Sequence, residues 1–121
     1  MTIAEVSKYF DIKPDTLRYY EKIGLMDPVE RTKNGQRIYR EKDIKHLEFI
    51  RCMRKAGLSI ETLVEYIRLL KLGDSSLIQR RELLLRERDI LAKRMENDQQ
   101  AIEKLNNKIA KYNQLIQEKE N

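Results

Sequence analysis

The sequence predicts a mainly α-helical fold with one small β-hairpin: a winged helix-turn-helix domain followed by a long helix. Two short helical stretches separated by a three-residue turn occupy residues 2–23, and a basic hairpin follows at residues 29–40. From residue 76 onward no glycine or proline interrupts the chain. We therefore divide the chain into a first domain, residues 1–73, and a coiled-coil helix, residues 74–121.

The two short helices carry recognisable start and stop signals. Thr2 and Glu5 have the spacing of a capping box. Pro14 suits the first position of a second helix over residues 14–23, because its missing N–H needs no partner there, and Gly24 suits the position after its end. Two such helices are typical of a helix-turn-helix, whose second helix usually enters the major groove.

The hairpin is predicted to pair residues 29–32 with residues 37–40 as a wing. Asn34-Gly35 at its tip favours a tight two-residue turn in which both residues have positive φ. A third helix over residues 41–56 and a fourth, capped by Ser59, should complete the core. The fourth helix is expected to carry its apolar stripe on Leu63, Ile67 and Leu70.

The remainder of the chain predicts one long coiled-coil helix. Ser76 and Gln79 repeat the capping-box spacing at its start. Two rows with a seven-residue repeat follow, the first beginning at Arg88 and the second interrupted by the charge of Asp98. A helix of this length cannot cover its own apolar stripe, so a second copy of the chain is the simplest partner. The predicted dimer interface comprises Leu84, Leu91, Met95, Ile102, Leu105, Ile109, Tyr112 and Ile116.

Composition narrows the class of function. There are 25 lysine and arginine residues against 20 acidic ones, and residues 1–58 hold 13 basic and 9 acidic residues, so most of the excess lies in the first half. A basic face favours a polyanionic partner. No apolar run approaches the roughly 20 residues that span a bilayer, so we expect a cytoplasmic protein without membrane contact. One cysteine and one histidine give weak support for an enzyme.

The ordered motifs resemble the MerR family of bacterial transcription regulators. They are the run Thr16-Leu17-Arg18-Tyr19-Tyr20-Glu21, Gly24-Leu25, the Arg31-Thr32 to Arg37-Ile38-Tyr39 wing, the turn Gly57-Leu58-Ser59 and the long final helix. The resemblance implies an antiparallel homodimer on a near-palindromic promoter in double-stranded DNA. It also implies activation by distortion of the promoter spacer, with RNA polymerase at the promoter as a further partner.

The resemblance also assigns roles to individual residues. Thr16, Arg18 and Tyr19 are expected at the major groove, Tyr20, Arg37 and Tyr39 on phosphates, and Arg31 and Lys33 on the wing. Arginine can grip guanine edges bidentately, whereas a hydroxyl or wing arginine on a phosphate positions the protein without reading sequence. For each tyrosine the alternative is a core or boundary aromatic whose body packs.

The sequence defines the effector less clearly than it defines the DNA-binding residues. The regions where metal-sensing relatives carry cysteines have no thiol here, so we expect neither a metal site nor another cofactor. Cys52 lies beside Arg51 and one turn from Lys55, and nearby positive charge favours the nucleophilic thiolate. Its position resembles that of the reactive cysteine in the aldehyde- and nitrosative-stress subgroup of the family. The alternative is a buried cysteine that fills space.

Two other functions stay open at this point. A coiled-coil adaptor would recruit a protein partner, and its basic face would be incidental. A regulator of the same family could also act without any thiol effector. Specific, salt-sensitive binding to promoter DNA separates a regulator from an adaptor.

Overall fold

The computed structural model describes every residue from 1 to 121. Five α-helices and one hairpin follow in the order α1 (Ile3–Phe10), α2 (Pro14–Lys22), β1 (Glu30–Arg31), β2 (Arg37–Ile38), α3 (Glu41–Lys55), α4 (Ile60–Lys71) and α5 (Leu77–Glu120), with a 3₁₀ turn at Gly73–Ser76 before α5. The predicted fold class is confirmed. The chain forms two compact units, Met1–Leu83 and Leu84–Asn121. None of the helices combines the length and the apolarity needed to cross a membrane.

The start of α1 and the α1–α2 turn follow the sequence signals. The Thr2 hydroxyl accepts the Glu5 N–H at 3.1 Å, and the Glu5 carboxylate accepts the Thr2 N–H at 2.9 Å, which completes the capping box. Asp11 ends α1 in the left-handed region with φ of 54°. The next helix then begins at Pro14 and is followed by Gly24 with φ of 82°. These caps fix the angle at which α2 leaves the turn.

The wing is shorter than predicted, and its turn differs from the expected one. Glu30 pairs with Ile38 and Arg31 with Arg37 in an antiparallel ladder. The prediction that both turn residues have positive φ is wrong: Gly35 has φ of 83°, but Asn34 does not enter that region. The Thr32 carbonyl accepts the Gly35 N–H at 2.9 Å, and Thr32 N–H donates to Gln36 at 2.8 Å. The connection is thus a three-residue loop that needs left-handed backbone only at its glycine.

The core of the first unit lies where both helices of the helix-turn-helix, the base of the wing, α3 and α4 meet. Its members are aliphatic and aromatic, and the most deeply buried are Val6, Leu17, Leu25, Met26, Tyr39, Leu47, Ile50 and Leu63. Each of the helices α1 to α4 contributes at least one of these side chains, and the others come from the segment after α2 and from Tyr39, the residue after β2. The core therefore holds α2, the second helix of the helix-turn-helix, and the base of the wing together in one rigid unit.

Two predicted details at the end of this domain are wrong. On α4 the buried leucine after Ile67 is Leu69, while Leu70 is 44% exposed. Ser76 does not form a capping box with Gln79. It lies in the 3₁₀ turn, is 1% exposed, and its hydroxyl bonds the carbonyls of Leu69 and Gly73. The serine thus adds a side-chain donor near the carbonyls of Leu69, in the last turn of α4, and Gly73, in the 3₁₀ turn.

Candidate nucleic-acid interface

Helix α2 presents one face to the core and another to solvent. Leu17 and Tyr20 are buried, three residues apart, and anchor the helix. Arg18 and Tyr19 lie on the exposed side, with Tyr19 50% exposed, and Thr16 is half-buried. Arg18 donates to Asp15 at 2.7 Å in an exposed pair. Such a surface pair contributes little, so the guanidinium is available to a stronger acceptor.

The basic residues of the wing differ in their partners. Arg31 donates to the Gly35 carbonyl at 2.9 Å, and this hydrogen bond stabilises the turn. Arg40 donates to Glu30 at 2.8 Å across the hairpin, and this contact lowers the pKa of the Glu30 carboxyl. Lys33 stands exposed at the tip. The wing therefore presents positive charge on a backbone that the contacts of Arg31 and Arg40 stabilise.

An ion pair connects the wing to the recognition helix. Arg37 on β2 donates from Nε to Glu21 Oε1 on α2 at 2.8 Å, and the two side chains are only 17% and 10% exposed. A charged hydrogen bond in such a sheltered position is stronger than a surface pair. The contact fixes the position of Arg37 relative to α2, although the two residues are sixteen apart in sequence.

A groove separates the start of α1, helix α2 and the wing tip. It measures about 470 Å³ and is lined by Thr2, Ile3, Ala4, Arg18, Gly35, Gln36 and Arg37. Two of the predicted DNA-contacting arginines thus meet on one surface. Thr2 and Gln36 were not predicted as part of it; their polar side chains and their place beside predicted basic residues are the only sequence signals. The groove offers cationic and amide donors, which match phosphate oxygens and base edges.

Two tyrosines predicted to contact phosphate lie in the core. Tyr20 is 7% exposed and Tyr39 is 2% exposed. The Tyr39 hydroxyl is buried without a hydrogen-bond partner. Burial, reinforced by the nearby Glu21 carboxylate, raises the pKa of Tyr39. A phosphate contact by Tyr39 would require its hydroxyl to leave the interior, so that assignment stays a prediction.

The single cysteine lies on α3, outside the groove. Cys52 is exposed, so it does not fill space in the core. Its neighbour Arg51 is placed over the Phe10 ring, 4.8 Å from the centroid, in a cation–π contact. Arg54 donates to the Leu58 carbonyl at 2.9 Å at the end of the helix. The thiol is accessible beside residues whose positions are fixed by these contacts.

The lone histidine has a structural contact. His46 Nε2 lies 2.7 Å from the Leu25 carbonyl and joins α3 to the loop after α2. It is half-buried, at the boundary between the core and the surface. Across the chain, no group of three histidine, cysteine or acidic residues is arranged to hold a metal ion.

Helix α5 exposes the residues predicted for the dimer interface. Seven of the eight are exposed and Leu91 is half-buried. Large apolar side chains on one helix favour a partner surface over water. The exposed members are Leu84, Met95, Ile102, Leu105, Ile109, Tyr112 and Ile116.

A helix-turn-helix whose second helix and basic wing share one surface defines a DNA-binding protein of the winged-helix class. The sequence profile described as MerR HTH family regulatory protein matches residues 1–70. The chain belongs to the MerR family of transcription regulators. Its relatives are regulators and not enzymes, as the sequence predicted.

Known proteins resemble the chain over most of its length. It is 52% identical over 91 residues to the HTH-type transcriptional regulator AdhR of Bacillus subtilis, an alignment that covers 75% of this chain and 65% of AdhR. A MerR family regulator from Listeria monocytogenes superposes with a TM-score of 0.85 at 40% identity, over 93% of this chain and 86% of that one. HiNmlR is a MerR family regulator that lacks the sensor domain and was crystallised bound to promoter DNA. It superposes with a TM-score of 0.82 at 25% identity, over 93% of this chain and 90% of HiNmlR.

Proposed function

We propose that the protein binds a near-palindromic promoter as a homodimer and activates transcription by distorting the promoter spacer. The observation that carries the proposal is the groove in which Arg18 of α2 and Arg37 of the wing face the same space. A helix that reads bases and a wing that holds phosphates must act from one rigid surface, and the 2.8 Å Arg37–Glu21 contact provides that rigidity.

We assign base reading to Thr16, Arg18 and Tyr19, and phosphate contacts to Arg31, Lys33 and Arg37. All six side chains are exposed or half-buried on α2 and the wing. For Tyr20 and Tyr39, a phosphate role depends on movement of the side chain out of the core. The RNA polymerase that uses the same promoter is the further partner in this proposal.

Duplex titration tests the DNA-binding function. Fluorescence anisotropy with labelled promoter DNA should give affinity that falls steeply with salt, and at least about 10³-fold preference over random duplex of equal length. The double variant R18A/R37A should lose that preference while it stays folded by circular dichroism. Equal affinity for promoter and random DNA would favour the adaptor function instead.

We further propose that Cys52 senses thiol-reactive electrophiles such as small aldehydes. The support is its exposure on α3 and the 52% identity to AdhR. In this reaction the thiolate sulfur adds to the aldehyde carbon, and the carbonyl oxygen takes up a proton to give a hemithioacetal, so no oxidant is needed. The alternative within the same family is a regulator whose effector is not a thiol reagent.

Footprinting with and without aldehyde tests the sensor role. The wild-type protein should show hypersensitivity at the centre of its site only with aldehyde, whereas Cys52→Ser should bind the same site without that change. Because Cys52 is exposed, the substitution should alter stability by less than about 0.5 kcal/mol. A normal aldehyde response in Cys52→Ser would exclude the sensor role and leave the DNA-binding function intact.

A further inference from the structure

An acidic side chain lies in the middle of the exposed face of α2, the helix that is proposed to read bases. With 3.6 residues per turn, Asp15 projects between Arg18 and Tyr19 around the helix axis. The buried side chains Leu17 and Tyr20 lie on the opposite side. Asp15 is 95% exposed and is the second residue of α2. The first residues of a recognition helix are those that contact base edges, so Asp15 lies among the side chains that face the bases.

A carboxylate in this position opposes DNA binding unless the DNA offers it a donor. Phosphates repel it, so Asp15 weakens attachment to every duplex alike. In the free protein Arg18 donates to Asp15 at 2.7 Å, and no other ion pair or side-chain hydrogen bond involves Asp15. When Arg18 exchanges this pair for a base edge, as the proposed function requires, Asp15 loses its partner. A donor on the DNA would then offset the repulsion.

Cytosine is the base whose major-groove edge suits a carboxylate. An ionised carboxyl group only accepts hydrogen bonds. Guanine presents two acceptors, O6 and N7, and thymine presents the acceptor O4 and a methyl group. Adenine presents the N6–H₂ donor beside the acceptor N7, which repels a carboxylate oxygen. Cytosine presents the N4–H₂ donor without an acceptor, so a carboxylate on this face of α2 favours cytosine.

Helix geometry separates this contact from the one assigned to Arg18. Asp15 precedes Arg18 by three residues, which corresponds to about 4.5 Å along the helix axis. Successive bases of one strand are about 3.4 Å apart along the duplex. A helix that lies along the groove therefore brings these two side chains to neighbouring base pairs, and their base preferences belong to different positions of the half-site.

We propose that Asp15 is a specificity-determining residue that accepts a hydrogen bond from N4–H₂ of a cytosine, in the base pair next to the one that Arg18 reads. The inference rests on the proposed promoter binding and adds one base contact to each half-site. The carboxylate acts on specificity in two ways. It gains a hydrogen bond at cytosine, and at other bases it leaves an unpaired charge facing the DNA.

Substitution of Asp15 tests the contact through the base preference of the full chain. Selection from a pool of duplexes with randomised half-sites gives the site that the wild type prefers, and fluorescence anisotropy with single-base variants of that site gives relative affinities. At the position next to the one that Arg18→Ala relaxes, the wild type should favour cytosine by at least about 5-fold for each half-site. Asp15→Asn should favour adenine there, because an amide pairs with adenine N6 and N7. Asp15→Ala should bind all four bases within about 2-fold.

The affinity for random duplex provides a second measurement. Both Asp15 variants should bind it about 2-fold or more tightly than the wild type, because a charge that phosphates repel has been removed. Asp11→Asn is the matched control, since Asp11 is also an exposed acid and lies just before α2. It removes the same charge and should leave every base preference of the wild type unchanged. Circular dichroism should show all three variants folded, because both positions are exposed.

Two outcomes would overturn the role of Asp15 and leave the proposed promoter binding intact. An unchanged base preference in Asp15→Asn would leave Asp15 as a charge that stabilises the start of α2. A change confined to the position that Arg18 reads would mean that Asp15 only orients Arg18. In both cases the wild type still selects a preferred site. A wild type that selects no site from the pool would refute promoter binding itself.

Discussion

Arg37 on the wing donates to Glu21 on the recognition helix at 2.8 Å, and both side chains are largely sheltered from solvent. The sequence shows a basic wing and a helix, but this contact makes them one surface. It holds in place an arginine that the proposed function needs at a phosphate. It also gives Glu21, an acidic residue near a DNA-binding surface, a structural reason to be there.

Glu21→Gln should destabilise the protein by about 1–2 kcal/mol. The pair is more sheltered than a surface salt bridge and less so than a fully buried one, so the loss should fall between those two cases. Urea denaturation followed by circular dichroism measures it. Glu65→Gln is the matched control, because its contact with Arg68 is exposed, and it should change stability by less than about 0.5 kcal/mol. Equal effects in the two variants would contradict a special role for the Arg37 contact.

Arg18→Ala should cost about 1–3 kcal/mol of promoter binding for each half-site and relax the base preference at one position of each half-site. The reason is that an exposed guanidinium on α2, held only by a surface pair with Asp15, can exchange that pair for a base edge. Competition titrations against single-base variants of the promoter measure both effects. A uniform loss across all variants would place Arg18 on a phosphate.

Lys33→Ala should weaken binding to all duplexes alike and lower the salt slope of binding by about 1 for each subunit, or about 2 for the proposed dimer. Lys33 is exposed at the wing tip, and the proposed function assigns its ammonium to phosphates and not to base edges. Anisotropy at several salt concentrations gives the slope. Lys119→Ala removes the same charge near the end of α5 and serves as the control, which should leave the slope unchanged.

Tyr39→Phe should leave stability at neutral pH unchanged or raise it by up to about 1 kcal/mol, because the hydroxyl that it removes is buried without a partner. Burial raises the pKa of Tyr39 above its ordinary value of 10.0. In the unfolded chain the phenol loses its proton first, so the wild type should lose stability as pH rises above about 10, and the variant should lose less. Urea titrations at pH 7 and pH 10.5 compare the two. A clear loss of stability at pH 7 would show that the hydroxyl has a partner.

Ser76→Ala should destabilise the domain by about 1–2 kcal/mol, because it leaves the carbonyls of Leu69 and Gly73 without this donor in a buried turn. Ser75→Ala is the matched control. Its hydroxyl donates to the Leu72 carbonyl at 3.1 Å from an exposed position, so water can replace it. Thermal and urea unfolding should show a larger loss of stability for Ser76→Ala than for Ser75→Ala. Similar losses of stability in the two variants would contradict the role of Ser76.

Local signals in the sequence determined most of the helices and their order. The Thr2–Glu5 capping box, Pro14 and the absence of glycine and proline after residue 76 act within one or two turns of chain, so they can be read without tertiary structure. The same ordered motifs predicted family membership, and the match of residues 1–70 to the MerR family profile confirms it. The apolar stripe of α5 was also visible, because a seven-residue repeat is a property of a single helix.

Contacts between distant residues were decided only by the tertiary structure. The sequence does not show that Glu21 shelters Arg37, that Tyr39 turns its hydroxyl inward, or that Cys52 lies on the exposed side of α3. The turn at Asn34-Gly35 followed the ladder register and not the dipeptide preference, since register sets the number of loop residues. Leu69 takes the place in the core that was predicted for Leu70, and the Ser76 hydroxyl bonds the carbonyls of Leu69 and Gly73 instead of forming a capping box with Gln79. In each case packing among several elements, and not local preference, determined where the side chain lies.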